Sequence, residues 1–169
     1  QAPSIQERIQ SYIVPALQII YAASNTGLAD GIPPPQRGIQ VLIITATVDQ
    51  SAQAQRLSIG LGGSLGIRTS LCVGQGDLQQ ELATLIKSPP HVLVGTPQRL
   101  LELFSMRTLS TADVRLLIID ECDQLIARNL ADYVLSLVRM LPPSTTSSIN
   151  PGGSPIVSRS SGGGSPLPG

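Results

Sequence analysis

Residues 114–123 read VRLLIIDECD. The LLII core of this stretch shows no alternation of apolar and polar residues. It therefore predicts a strand covered on both faces, as in a parallel sheet between two layers of helices. The strand is expected over 114–120. Three carboxylates follow at its end, Asp120, Glu121 and Asp123. Open α/β sheets place ligand sites just beyond the carboxyl ends of their strands. A carboxylate there can hold Mg²⁺, usually through water, and a neighbour can orient an attacking water. The same acids would also suit the N-terminus of a following helix, where the dipole favours negative charge.

Outward from this strand the chain alternates strands with helices. VLIITA (41–46), RTSLCV (68–73) and HVLVG (91–95) read as strands. Residues 8–22, 49–62, 77–87, 97–104 and 130–141 read as helices. Ile9, Ile13, Leu17 and Ile20 recur at helical spacing in the first of these, and Pro15 should kink it or mark its effective start. Asp77 is a natural N-cap, and Leu78, Leu82, Leu85 and Ile86 form the apolar face behind it. Residues 24–38 are rich in Gly, Pro, Asn and Asp and read as a loop. This order predicts an α/β fold with a parallel, doubly wound sheet flanked by helices.

Composition narrows the class. Of 169 residues, 41% are apolar and only 2% aromatic, so the core must be aliphatic. Lys plus Arg equals Asp plus Glu at 11 each, so no basic excess favours nucleic acid over the whole chain. Cys72 and Cys122 lack metal or disulfide spacing and read as two buried thiols of a reducing compartment. No apolar run is long enough to span a membrane. Among residues 142–169, 20 of 28 are Ser, Gly or Pro, so this stretch is expected to be a disordered tail. His91 suggests a capping or surface role, and Met106 and Met140 suggest fillers of the core or its rim. Tyr12, Tyr21 and Tyr133 are too scattered for a base-stacking platform.

A second strand-to-helix junction, Thr96-Pro97-Gln98-Arg99, offers helix N-terminal amides to an anion, with Arg99 in reach of a phosphate. Taken with the acidic stretch, in order and at this spacing, it makes the chain resemble the DEAD-box helicase family, especially its translation-initiation-factor-like members. The resemblance is close from Leu42 to about Leu141. HVLVGTPQRLLELF resembles the segment carrying motif Ib, LLIIDECDQLIARNL that of motif II, CVGQGDLQQELATL the glycine doublet with its helix, and LIITATVDQSAQAQ motif Ia. The resemblance implies a single RecA-like (P-loop NTPase) lobe over 1–141, incomplete at the N-terminus, that works with ATP, Mg²⁺ and RNA in an intracellular setting, cytoplasm or nucleus. By position it implies that Asp120 helps hold Mg²⁺, Glu121 polarises the attacking water and Asp123 links to motif III. It implies that Thr47, Gly74, Thr96, Pro97 and Arg99 touch RNA backbone.

The departures fall on motif I, which reads A-x-x-G-x-G-K-T in this family. The matching stretch runs from Ala2 to Ile9, with Ala2, Ser4 and Arg8 as the degenerate nucleotide-binding positions. Ile5 and Glu7 stand where glycines should free the backbone amides of a phosphate cradle. Arg8 replaces the lysine, and Ile9 removes the hydroxyl that would meet Mg²⁺. Motif Ia has Ala46 for Pro and Val48 for Arg, and Gln75 replaces the second glycine of the doublet. Hydrolysis of ATP is therefore not expected. Three readings follow: an RNA-helicase lobe, an ATP-independent module binding RNA or a protein partner, and a fragment without independent function.

Overall fold

The computed structural model describes residues 4–25 and 38–143. Four strands, β1 (Val41–Ile44), β2 (Thr69–Cys72), β3 (Val92–Gly95) and β4 (Leu116–Ile119), form one parallel sheet in the order β2-β3-β1-β4. Helices α1 (Ile5–Asn25), α2 (Val48–Gly62), α3 (Leu78–Lys87), α4 (Pro97–Ser105), α5 (Cys122–Ala127) and α6 (Ala131–Met140) connect and cover the strands.

Strand periodicity explains the two layers. Val41, Ile43, Val92 and Val94 face α1 and α2, against Ile9, Ile13, Ala16, Leu17, Ile20 and Ala54. Leu42, Ile44 and Leu93 point the other way, onto Leu82 and Leu85 of α3, Leu100 and Leu103 of α4, and Leu137 of α6. With apolar cover on both faces, a strand needs apolar residues at every position, which is why β1 and β3 lack alternation. β4 has the same composition but lies at the sheet edge, and its four residues are only partly buried.

Several expectations require correction. The first helix starts at Ile5 and ends at Asn25, longer at both ends than 8–22, and it continues through Pro15. Pro15 lies on the exposed side of α1, away from the apolar contacts that hold the helix to the sheet. α5 follows β4 directly and was not foreseen, because six residues are too few to show a period. Ile86 points to solvent at 49% exposure, so the apolar face of α3 is Leu78, Leu82 and Leu85. Cys122 is exposed, and only Cys72 is a buried thiol. Met106 and Met140 are exposed as well. The loop expected at 24–38 lies outside the described residues over 26–37, as do Ala2 and the tail from 144 onward. No described helix is long and apolar enough to cross a membrane.

His91 joins β2 to β3. Its Nδ1 accepts from the Arg68 amide at 3.0 Å, and its own amide donates to the Arg68 carbonyl at 2.9 Å. Burial, and then the nearby Arg68 charge, hold the imidazole below its usual 6.5. A lowered histidine adds stability that is present above the unfolded value and is lost as pH falls through the folded one. The urea midpoint should therefore fall between pH 7.5 and 5.5. His91→Asn, whose amide oxygen can accept the same hydrogen bond without titrating, should remove most of that pH difference; an equally steep fall in the variant would count against His91 as its source.

Candidate functional site

The C-terminal edge of the sheet collects the expected site residues. Asp120 follows β4, and its amide donates to the Ile44 carbonyl at 2.9 Å, which sets it beside the end of β1. Glu121 turns the chain into α5 with φ 51 and ψ 59, a left-handed conformation in a residue with a Cβ. Such backbone costs about 1–3 kcal/mol and persists only where surrounding contacts hold it. Asp123 is exposed in the first turn of α5, apart from the other two acids. On the other side, the Thr45 and Ser51 hydroxyls pair at 2.6 Å and set the first turn of α2 over the end of β1. Thr47 caps that helix, accepting from the Gln50 amide at 3.3 Å.

The stretch matching motif I is helical from Ile5 onward. The Ser4 amide donates to Glu7 Oε2 at 2.7 Å and the Glu7 amide donates to Ser4 Oγ at 3.2 Å, a reciprocal cap that starts α1. The Ser4 amide also holds the Glu7 carboxyl below the usual carboxylate range. Ser4, expected at the nucleotide, is thus a helix cap. Two of the amides a phosphate loop would present, those of Ser4 and Glu7, are taken up by this cap.

Arg8, in that first turn, reaches the acids. Its Nε lies 3.1 Å from Asp120 Oδ1 and its Nη2 lies 2.7 Å from Glu121 Oε1. Neither nitrogen is aligned as a hydrogen-bond donor, so the attraction is Coulombic. The Tyr12 hydroxyl donates to Asp120 Oδ2 at 3.0 Å, and Gln50 Nε2 donates to Glu121 Oε2. Burial, reinforced by the Asp120 charge, pushes the Tyr12 hydroxyl above its usual range, so it stays a proton donor. All four carboxylate oxygens of the pair therefore face a partner from the chain itself. Asp120 is buried at 7% exposure and Glu121 nearly so at 20%.

These residues do not fit a bound Mg²⁺. To bind there a dication would have to displace the Arg8 guanidinium, which repels it, and break the donations from Tyr12 and Gln50. The cradle for a triphosphate is lost as well, since Ile5 and Glu7 lie within a helix. Tyr12 and Gln50 were missed as site residues. Tyr12 had a signal: it stands four positions after Arg8, on the same helix face. Gln50 had none.

The expected RNA contacts occupy the same edge but differ in what they expose. Gly74 is exposed with φ 78, a conformation glycine adopts without strain. Thr96 is the N-cap residue of α4, makes no side-chain capping bond, and donates its amide to the Cys72 carbonyl at 3.2 Å. Pro97 is buried. Arg99 turns inward, at 7% exposure. Its Nε donates to Glu81 Oε2 at 2.7 Å, Nη1 to Glu102 Oε2 at 3.0 Å and Nη2 to the Gly76 carbonyl at 2.8 Å. Each guanidinium nitrogen thus serves the lobe, tying α3, α4 and the loop after β2 together.

A sequence model of DEAD/DEAH box helicases matches residues 10–150. Eukaryotic initiation factor 4A-III homolog B of Oryza sativa subsp. japonica is 33% identical over 107 residues, which cover 63% of this chain and 26% of that protein. The ATP-dependent RNA helicase eIF4A of Aspergillus clavatus is 27% identical over 151 residues, covering 84% of this chain and 38% of the relative. The chain thus spans well under half the length of these relatives. The crystal structure of the yeast DEAD-box splicing factor Prp28 superposes with a TM-score of 0.67 at 20% identity, over 79% of this chain and 30% of that one, which supports the RecA-like fold.

Proposed function

The chain belongs to the DEAD/DEAH box helicase family, and from that premise we propose that it acts as a first RecA-like lobe that docks RNA backbone without hydrolysing ATP. Members of the family use ATP and Mg²⁺. The observation carrying the proposal is the occupation of Asp120 and Glu121 by Arg8, Tyr12 and Gln50. With every carboxylate oxygen of the pair engaged from within, neither metal binding nor orientation of an attacking water is available to them.

RNA docking rests on the edge formed by Thr47, Gly74 and Thr96. The N-termini of α2 and α4 open there, and helix N-terminal amides with short hydroxyl side chains suit phosphate oxygens. With no net charge on the chain and Arg99 engaged internally, the affinity should be low, about 10⁻⁴ M at physiological salt. An RNA ligand would place the protein in the cytoplasm or nucleus. A protein partner is the second reading. It is favoured by Leu135 at 51% and Val138 at 41% exposure on α6.

Calorimetry with a non-hydrolysable ATP analogue and Mg²⁺ should show no binding heat, while a single-stranded RNA should bind with or without the analogue and weaken as salt rises. Micromolar analogue binding that disappears in Asp120→Ala would refute the loss of nucleotide chemistry. Absence of any salt-sensitive RNA complex would remove the docking role.

A further inference from the structure

We propose that Arg8, Tyr12 and Gln50 form an internal clasp that takes the place of a bound divalent cation at Asp120 and Glu121 and fastens α1 to the sheet. This deepens the non-hydrolysing reading above and rests on it for the identity of the acids, but its test is independent of RNA.

The first support is local. A cation in the first turn of a helix opposes the helix dipole, so helix energetics alone disfavour Arg8 where it stands. Glu7, its neighbour, is held by Ser4 and leaves Arg8 to the distant acids. The contact with Asp120 and Glu121 offsets that cost.

The second support is topological. The clasp draws on three separate elements: Arg8 and Tyr12 from α1, Gln50 from α2, and the acids from the turn after β4. The apolar part of the α1 interface runs through Ile9, Ile13, Ala16, Leu17 and Ile20. Apolar packing of that kind is non-directional and tolerates sliding or rotation of the helix. The hydrogen bond from Tyr12 to Asp120, directed at a defined atom, fixes one placement. The left-handed Glu121 is held in the same way, since both of its carboxylate oxygens are engaged.

The third support is the charge balance. One guanidinium and two neutral donors meet two carboxylates, where a metal site would supply a dication and water. Removing Arg8 leaves two adjacent carboxylates, one of them almost fully buried, and such a pair attracts a cation.

The test uses the full chain, with melting followed by circular dichroism and Mn²⁺ binding followed by the loss of the free-ion paramagnetic resonance signal. The unaltered chain should melt at the same temperature in millimolar Mn²⁺ and in chelator, and should leave the Mn²⁺ signal unchanged. Arg8→Met keeps most of the aliphatic stem and removes the charge. It should melt lower by on the order of 10 °C and recover part of that loss in millimolar Mn²⁺. The recovery should vanish when Asp120→Asn is added. If Arg8→Met does not fold, Arg8→Lys keeps a single point charge that cannot lie as close to both carboxylates as the extended guanidinium does, and it should melt at an intermediate temperature. Mn²⁺ bound by the unaltered chain and lost in Asp120→Asn would overturn the proposal. So would an Arg8→Met melting point equal to that of the unaltered chain, an Arg8→Met variant that gains nothing from Mn²⁺, or an Arg8→Lys variant indistinguishable from arginine. Failure of RNA docking would leave every one of these readouts in place.

Discussion

Alanine at Gly95 is expected to destabilise the lobe by about 3–5 kcal/mol, a large part of the stability of a domain this size. Gly95 ends β3, opposite Cys72 of β2. A Cβ there would lie 2.2 Å from the Cys72 carbonyl oxygen and 3.0 Å from Leu100 Cγ. The carbonyl cannot retreat cheaply, because it accepts the Thr96 amide at 3.2 Å. Leu100 cannot either, because it is fully buried in the layer made with α4. Gly95 also accepts from the Thr45 amide at 3.1 Å, so a shift of β3 would disturb the end of β1. The lesion would therefore spread from the core to the edge that carries Thr47 and Thr96. Urea denaturation followed by circular dichroism measures it directly. A midpoint within experimental error of the unaltered chain would show that the two strands can separate at little cost.

Arg99→Ala should cost about 3 kcal/mol, although the family resemblance assigns this residue to RNA. Its guanidinium is the common partner of Glu81, Glu102 and the Gly76 carbonyl. Removing it strands Glu81, whose side chain is only 22% exposed, and unties the loop between β2 and α3 from α4. Glu102 is 54% exposed, so its share is small after solvent screening. Arg99→Lys should recover less than half of the loss, since an ammonium cannot serve the three acceptors in the fork geometry. The loop holding Gly74 and Gly76 should exchange its amide hydrogens faster, and RNA affinity should fall because the docking edge loosens. The salt dependence separates this from a direct contact. An internal strut leaves the slope of log affinity against log salt unchanged, whereas loss of a phosphate contact reduces it by about 1. A reduced slope with unchanged melting temperature would return Arg99 to the RNA.

Much of this architecture was legible in the residues alone. The unbroken apolar runs of β1, β3 and β4 required cover on two faces and so a parallel sheet between helices. Ile9, Ile13, Leu17 and Ile20 marked the buried face of α1, and all four are buried. Asp77 was placed as a cap, and its Oδ1 accepts the Gln79 amide at 3.1 Å. The loss of the glycines at Ile5 and Glu7 was visible too, because backbone freedom is a property of the residue itself.

What the sequence could not supply is which charges meet. Arg8 and Asp120 are more than a hundred positions apart, and their contact depends on how far α1 slides along the sheet. Arg99 had the same residue type and local setting as an outward-facing phosphate ligand, and only the placement of α3 brought Glu81 within 2.7 Å and turned it inward. Cys122 follows an apolar strand in sequence, and it is exposed in the first turn of α5, just after the left-handed Glu121. Periodicity records which side of an element is apolar, since that follows from backbone geometry within a few residues. The pairing of polar groups between elements is set by rigid-body packing, and it was decided only when the helices closed on the sheet.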